Sequence, residues 1–482
     1  MKSSRLSLLT HVLLAAVILV LLPVTNCKAG PAKGVAGLWQ GTLKVPGGEL
    51  RVVFHINKAA DGKLSATLDS PDQSATGIPV DDCSFSNGRL KLAVRSIAGS
   101  FEGTLKNDST IEGTWTQGGA SLPLVLRRIE KVEQANRPQE PKKPYPYKEE
   151  EVEFENGAGG FKLAGTLTQP DSGGPFAAVV LISGSGPQNR DEQVFGHRPF
   201  LVLADYLTRQ GVAVLRYDDR GVGKSGGDSK TATTLDLATD ARAAFEYLKT
   251  RKEIDPKRIG LLGHSEGGVI APIVANEAPD VAFVVLMAGT GVPGDSVLML
   301  QSQLVAKAEG AADTTLAKSA VVQRALMNLA MTATDTAVAA ARMRPLLKQA
   351  MAQLSPNDTQ ALNSSDQAIE QQVKAVLSPW FRYFLNYDPR PTLTKLRQPV
   401  LAIVGEKDVQ IAPKENLAAI EAALKAGGNK DYLVKELPGL NHLFQTASTG
   451  GVSEYAKIEE TIAPTALKEM GDWILAHARV RK

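Results

Sequence analysis

Between residues 34 and 130 apolar and polar positions trade places in short runs, Leu50-Arg51-Val52-Val53-Phe54 among them. Turn signals separate the runs: Pro46-Gly47-Gly48, Asp61-Gly62, Asn87-Gly88 and Gln117-Gly118-Gly119. That pattern predicts strands with one buried face, arranged as an all-β meander that closes into a sandwich or barrel. Beyond residue 150 the pattern changes. Near-continuous apolar runs at 177–183, 212–217, 259–263, 281–288 and 400–404 fit strands covered on both faces. Stretches with helical spacing, such as 235–249 and 413–425, lie between them. Alternating strands and helices predict an α/β unit over 151–482 with a mostly parallel sheet.

Two segments depart from this alternation. Residues 131–150 carry Pro138, Pro141, Pro144 and Pro146 among charges, a composition expected of a semi-rigid linker. Residues about 293–388 read as helical, rich in Ala, Gln and Leu, and are expected to form a cap inserted between two strands. Five of the eight methionines fall there: Met299, Met327, Met331, Met343 and Met351. Methionine is adaptable filler, suited to helix packing and to a pocket for varied apolar groups alike. In the β-unit, Trp39 and Trp115 sit in similar Gly-rich contexts and are expected to be core aromatics.

Residues 1–29 read as an export leader. Lys2 and Arg5 precede an apolar run from Val12 to Leu22, Pro23 ends it, and Cys27-Lys28-Ala29 offers a small residue for cleavage. The expected location is therefore periplasmic or secreted. An uncleaved anchor and a lipid on Cys27 remain as alternatives, since Val24-Thr25-Asn26-Cys27 looks like a lipobox; either would be the chain's membrane contact.

The 482 residues include 54 basic and 51 acidic ones, a formal charge of +3. Lys2, Arg5 and Lys28 lie in the leader with no acid beside them, so the rest of the chain is neutral. Nucleic-acid binders need clustered positive charge, and a nucleic-acid partner is not expected. With only two cysteines there is no Cys or Cys/His cluster with metal-ligand spacing, and no metal is expected.

The sharpest chemical signal is Gly263-His264-Ser265-Glu266-Gly267-Gly268, set between the apolar run 259–262 and a helical pattern at 269–275. A serine in a tight strand-to-helix turn stands at a helix N-terminus, where the dipole favours a developing anion, and only glycines let the strand and helix approach so closely. Ser265 is the expected nucleophile. Its hydroxyl needs a base. Of the six histidines, His11 lies in the leader, His55 in the β-unit, His197 before a helix and His477 in the last helix. His264 adjoins the nucleophile and is expected to point away from it. His442, just after the strand-like 432–437, is the expected base. An acid could come from Glu406 or Asp408, both just past the run at 400–404. For an oxyanion hole, one donor would be the N–H of Glu266. The other would come from Ile182-Ser183-Gly184-Ser185-Gly186-Pro187, with the Ser185 N–H nominated and Gly184 as fallback. A phosphate loop would need a Gly-Lys-Ser/Thr ending that this segment lacks. In Arg216-Tyr217-Asp218-Asp219-Arg220-Gly221, Arg220 is expected to brace the loop, with Asp240 as partner, and Arg190 and Asp191 are expected to act similarly.

Together these segments resemble the bacterial α/β-hydrolase esterase and lipase family, close to its serine aminopeptidase-like branch. The carriers are Gly184-Ser185-Gly186-Pro187, Asp219-Arg220-Gly221, the motif at 263–268, Gly405 with Asp408, and His442, spread over residues 150–482. The resemblance implies the α/β-hydrolase fold and the chain order Ser265, Asp408, His442. It favours Asp408 over Glu406 as the acid. It also implies a carboxylesterase of small-molecule acyl esters, working without metal or organic cofactor. Peptide or amide cleavage by the same triad stays open, although Glu266 departs from the aromatic residue frequent at that position in prolyl-peptidase-like enzymes. A surface-binding role dominated by the β-unit is the third possibility.

Overall fold

The computed structural model describes residues 34–45, 48–71, 75–117, 120–132, 136–311, 313–352 and 366–478. The expected leader, with its possible anchor or lipid at Cys27, lies outside them.

Nine antiparallel strands make the first unit: β1 (Gly37–Val45), β2 (Gly48–Lys58), β3 (Leu64–Ser70), β4 (Ala75–Val80), β5 (Asp82–Ser86), β6 (Arg89–Val94), β7 (Gly99–Asn107), β8 (Thr110–Gln117) and β9 (Ala120–Ile129). The first strand pairs with both the second and the last, in the order β4-β3-β2-β1-β9-β8-β7-β6-β5, so the meander curls into a nearly closed barrel. Period-two alternation sends one set of side chains inward. Trp39, Phe54, Phe101 and Trp115 fill the interior, and Phe54 stands 6.1 Å from both Phe101 and Trp115. The two tryptophans are core residues.

The proline- and charge-rich segment that follows is pinned at its near end. Arg137 donates to four carbonyls distant in the chain, those of Phe195, Gly196, Ala456 and Ile458, at 2.9–3.2 Å. Gln139 donates to the Ile462 carbonyl and accepts from the Thr461 and Ile462 N–H groups. At its far end the segment is already strand, since β10 (Tyr147–Asn156) opens at Tyr147.

The second unit is an eight-stranded sheet of β10, β11 (Phe161–Pro170), β12 (Phe176–Ile182), β13 (Val212–Tyr217), β14 (Ile254–His264), β15 (Val284–Met287), β16 (Val400–Gly405) and β17 (Tyr432–Leu437). Its order is β10-β11-β13-β12-β14-β15-β16-β17. The first two strands are an antiparallel hairpin on the β13 edge, and the other six run parallel. Every residue of β13, β15 and β16 is buried, as helices cover both faces. Those helices include α1 (Pro199–Thr208), α2 (Thr234–Lys249) and α3 (Gly267–Glu277). This is the α/β-hydrolase architecture. The winding direction reverses between β12 and β14, and such a switch point opens a crevice at the carboxyl ends of the strands.

Between β15 and β16 the chain leaves the sheet as α4 (Gly294–Ala308), α5 (Asp313–Thr332), α6 (Thr336–Ala352), α7 (Asp366–Val376), α8 (Pro379–Asn386) and α9 (Arg390–Lys395). This insertion carries its own hydrophobic cluster, in which Met327 and Met343 are buried beside Leu326, Leu347 and Val373. Helix α10 (Pro413–Ala426) and the C-terminal α11 (Pro464–His477) complete the covering of the sheet.

Candidate active site

The turn joining β14 to α3 is built by its glycines. A Cβ on Gly263 would lie 1.9 Å from the Gly267 carbonyl oxygen, and one on Gly267 would lie 2.2 Å from that of Ile182. With strand and helix so close, the residue at the apex takes a left-handed backbone: Ser265 has φ +53°. A serine tolerates that conformation only when its surroundings fix it. Its N–H donates to the Met287 carbonyl at 2.8 Å, tying the apex to the next strand. Its side chain stays partly accessible at the N-terminus of α3.

Asp408 and His442 come from the loops after β16 and β17. His442 Nδ1 stands 2.8 Å from Asp408 Oδ2. The other carboxylate oxygen of Asp408 accepts from the N–H groups of Gln410 and Ile411, both at 2.8 Å, which fixes its orientation. With Nδ1 donating to a carboxylate, the opposite ring nitrogen of His442 is left as the acceptor, the tautomer a base requires. Glu406 does not reach this pair; it accepts from the Gly439 N–H at 2.8 Å and braces the turn. Among the described residues the Ser265 hydroxyl makes no hydrogen bond, to His442 or otherwise.

The loop after β12 closes over the elbow from the far side of the switch point. A Cβ on Gly184 would lie 3.3 Å from the Ser265 Cβ. The Gly184 N–H is taken, since it donates to Glu192 Oε1 at 2.7 Å. The N–H groups of Ser185 and Glu266 have no partner among the described residues. Two free amides beside a serine at a helix N-terminus are what a developing oxyanion needs. Asp219 braces the loop at both ends. It accepts from the Ser183 hydroxyl at 2.7 Å and from the Gln188 N–H at 2.8 Å. Burial pushes its carboxyl up to about 7.

Ion pairs stiffen the surroundings. Arg220 donates to Asp240 at 2.7 Å, the pairing expected from the sequence. Arg190 donates to Asp218 and to Glu151, and Asp191 accepts from Arg198 and Arg216.

Three contacts were not legible in the chain. The Glu266 side chain is buried, and its Oε1 accepts from Thr234 at 2.6 Å and from the Trp380 indole N–H at 2.8 Å. Burial raises its pKa. Trp380 lies on α8 and stacks on Phe384 at 5.6 Å, so the aromatic end of the cap rests on the residue after Ser265. Second, the His264 ring lies 4.9 Å from that of His442. Third, Glu192 joins His264 and Gly184. The Asn189-Arg190-Asp191-Glu192 run signalled a bracing loop but not which acid turned inward.

A family model described as serine aminopeptidase, S33, matches residues 198–446, just over half of the chain. Esterase EstD of Thermotoga maritima is 35% identical over 136 residues, 28% of this chain and 32% of that protein. The chain thus spans about a third of that esterase's length. Among solved structures, the Pyrococcus furiosus esterase Pf2001 aligns at TM-score 0.41 and 15% identity over 73% of this chain and 98% of that one. The proline iminopeptidase of Mycobacterium smegmatis aligns at TM-score 0.42 and 14% identity over 68% and 99%.

Proposed function

Because the chain belongs to the serine aminopeptidase S33 family of α/β-hydrolases, we propose that it is a serine hydrolase that cleaves small carboxylic esters through an acyl-enzyme. The observation that carries this reading is the 2.8 Å contact of His442 Nδ1 with Asp408, at the carboxyl ends of the same parallel strands that present a left-handed Ser265. The likeness to a named esterase supports an ester over other acyl groups.

In this mechanism the Ser265 hydroxyl attacks the ester carbonyl carbon while His442 Nε2 takes its proton. Asp408 holds the imidazole in the required tautomer and stabilises the imidazolium. The tetrahedral oxyanion accepts from the N–H groups of Glu266 and Ser185, with the N-terminus of α3 adding a favourable potential. The C–O bond then breaks, His442 returns the proton to the leaving alcohol, and an acyl-Ser265 remains. Water, deprotonated by His442, attacks that acyl group. Collapse of the second intermediate frees the acid and restores the serine. Trp380, held to Glu266 beside the nucleophile, and Phe384 stacked on it would offer the substrate an apolar surface. The leader pattern of residues 1–29 supports action after export.

The family description also favours a second reading, aminopeptidase or amidase action by the same residues. An ester and an amide with one shared acyl group separate the two. The ester reading expects turnover of the ester to exceed that of the amide well beyond their intrinsic reactivity difference. Comparable efficiency on both, or faster amide cleavage, would select the peptidase reading.

A further inference from the structure

Glu192 and His264 lie behind the elbow, and the mechanism above does not use them. Glu192 is 3% and His264 4% exposed. Glu192 Oε1 accepts from two donors, the Gly184 N–H at 2.7 Å and His264 Nδ1 at 2.8 Å. The other ring nitrogen, His264 Nε2, donates to the His442 carbonyl oxygen at 3.0 Å. Nε2 faces a carbonyl that can only accept, so it carries a proton, and Nδ1 faces the Glu192 carboxylate, which favours a charged ring. Burial alone would discharge it, but the charges of Glu192 and Asp408 and these hydrogen bonds outweigh that and raise its pKa. Glu192 reaches inward from a left-handed backbone, φ +49°. A non-glycine residue held there costs about 1 kcal/mol or more, the kind of strain kept at working sites.

We propose that Glu192 and His264 form a buried positioning pair that sets the oxyanion loop and the base loop against the elbow as one unit. The carboxylate fixes Gly184, and through the next peptide it aims the Ser185 N–H. The His264 Nε2–H fixes the backbone of His442, and with it the position of that ring. Neither side chain touches substrate. The pair acts on the transition state by holding the donors where the oxyanion forms, so its loss weakens transition-state binding and spares substrate binding.

The inference rests on the hydrolase reading. Its test compares Glu192→Gln, His264→Gln and the double variant with the intact chain on one activated ester. A trifluoromethyl ketone analogue, which adds to the nucleophile and places an oxyanion in the hole, is the second probe. We expect kcat to fall about 10–100-fold with KM within about threefold. Affinity for the ketone should fall by a similar factor. The double variant should be no worse than the poorer single one, because each substitution breaks the same unit. Folded single variants that keep kcat and ketone affinity would overturn the inference, as would a loss confined to KM. So would unfolding of both single variants, which would make the pair a requirement of the fold. Absence of ester turnover and ketone binding in the unaltered chain would instead overturn the hydrolase reading itself, and this inference with it.

Discussion

Asp408 and His442 meet at 2.8 Å with both side chains closed off from solvent, while Glu406 turns outward to the Gly439 N–H. The two acids sit two residues apart, yet only one can orient the imidazole. Asp408→Asn should lower kcat by about 10³–10⁴, since an amide stabilises the wrong tautomer. Glu406→Gln should stay within about threefold. Steady-state rates on one ester decide it, and the opposite ranking would move the acid to Glu406.

Much of this site could be read from the chain because its signals are local. The elbow is six consecutive residues whose glycines are demanded by backbone contacts inside the turn itself. Strands β13 and β17 fell where continuous or strand-like runs predicted them. Other parts lay in contacts between distant segments. Glu192 and His264 are 72 residues apart, and no spacing rule links them. Strand β14 begins at Ile254, five residues before its apolar run, and this start was hidden because Asp255-Pro256-Lys257-Arg258 is polar and the pairing with β12 shifts register there. Strand β10 was hidden by its glutamates, whose alternation with Val152 and Phe154 marks an edge strand exposed on one face. The segment before it has the composition of a spacer, yet Arg137 finds four carbonyls that no composition reveals.

That anchoring bears on stability. Arg137→Ala would remove the donors that satisfy those carbonyls, and a charged donor lost from a part-buried site costs on the order of 1–3 kcal/mol. The full chain should melt several degrees lower while its kcat/KM on a soluble ester stays within about twofold. An unchanged melting temperature would mean that the segment is a free tether.

Asp219 predicts a pH dependence of stability. Its carboxyl titrates near 7 when folded, against an ordinary value of 3.8, because burial disfavours the charge. Between those values the unfolded chain has released this proton and the folded chain has not. The contribution of this group to stability is therefore fully present below about 3.8, is lost as pH rises to about 7, and then levels off. The amide introduced by Asp219→Asn would not titrate. The stability of that variant relative to the unaltered chain should therefore improve between about pH 4.5 and 7.5, by a few kcal/mol at most. Urea midpoints at the two pH values measure this, and a difference that does not change with pH would contradict it.

In the proposed reaction Ser265 is the nucleophile that forms the acyl-enzyme. This role is tested most directly by treating the full-length protein with a fluorophosphonate and locating the adduct by peptide mass spectrometry, alongside Ser265→Ala. One adduct per chain is expected, on the peptide that contains Ser265, formed in step with loss of ester turnover. In Ser265→Ala both the label and the turnover should be absent, with an unchanged circular-dichroism spectrum. An adduct on another residue, or ester turnover that persists in the folded Ser265→Ala protein, would contradict it.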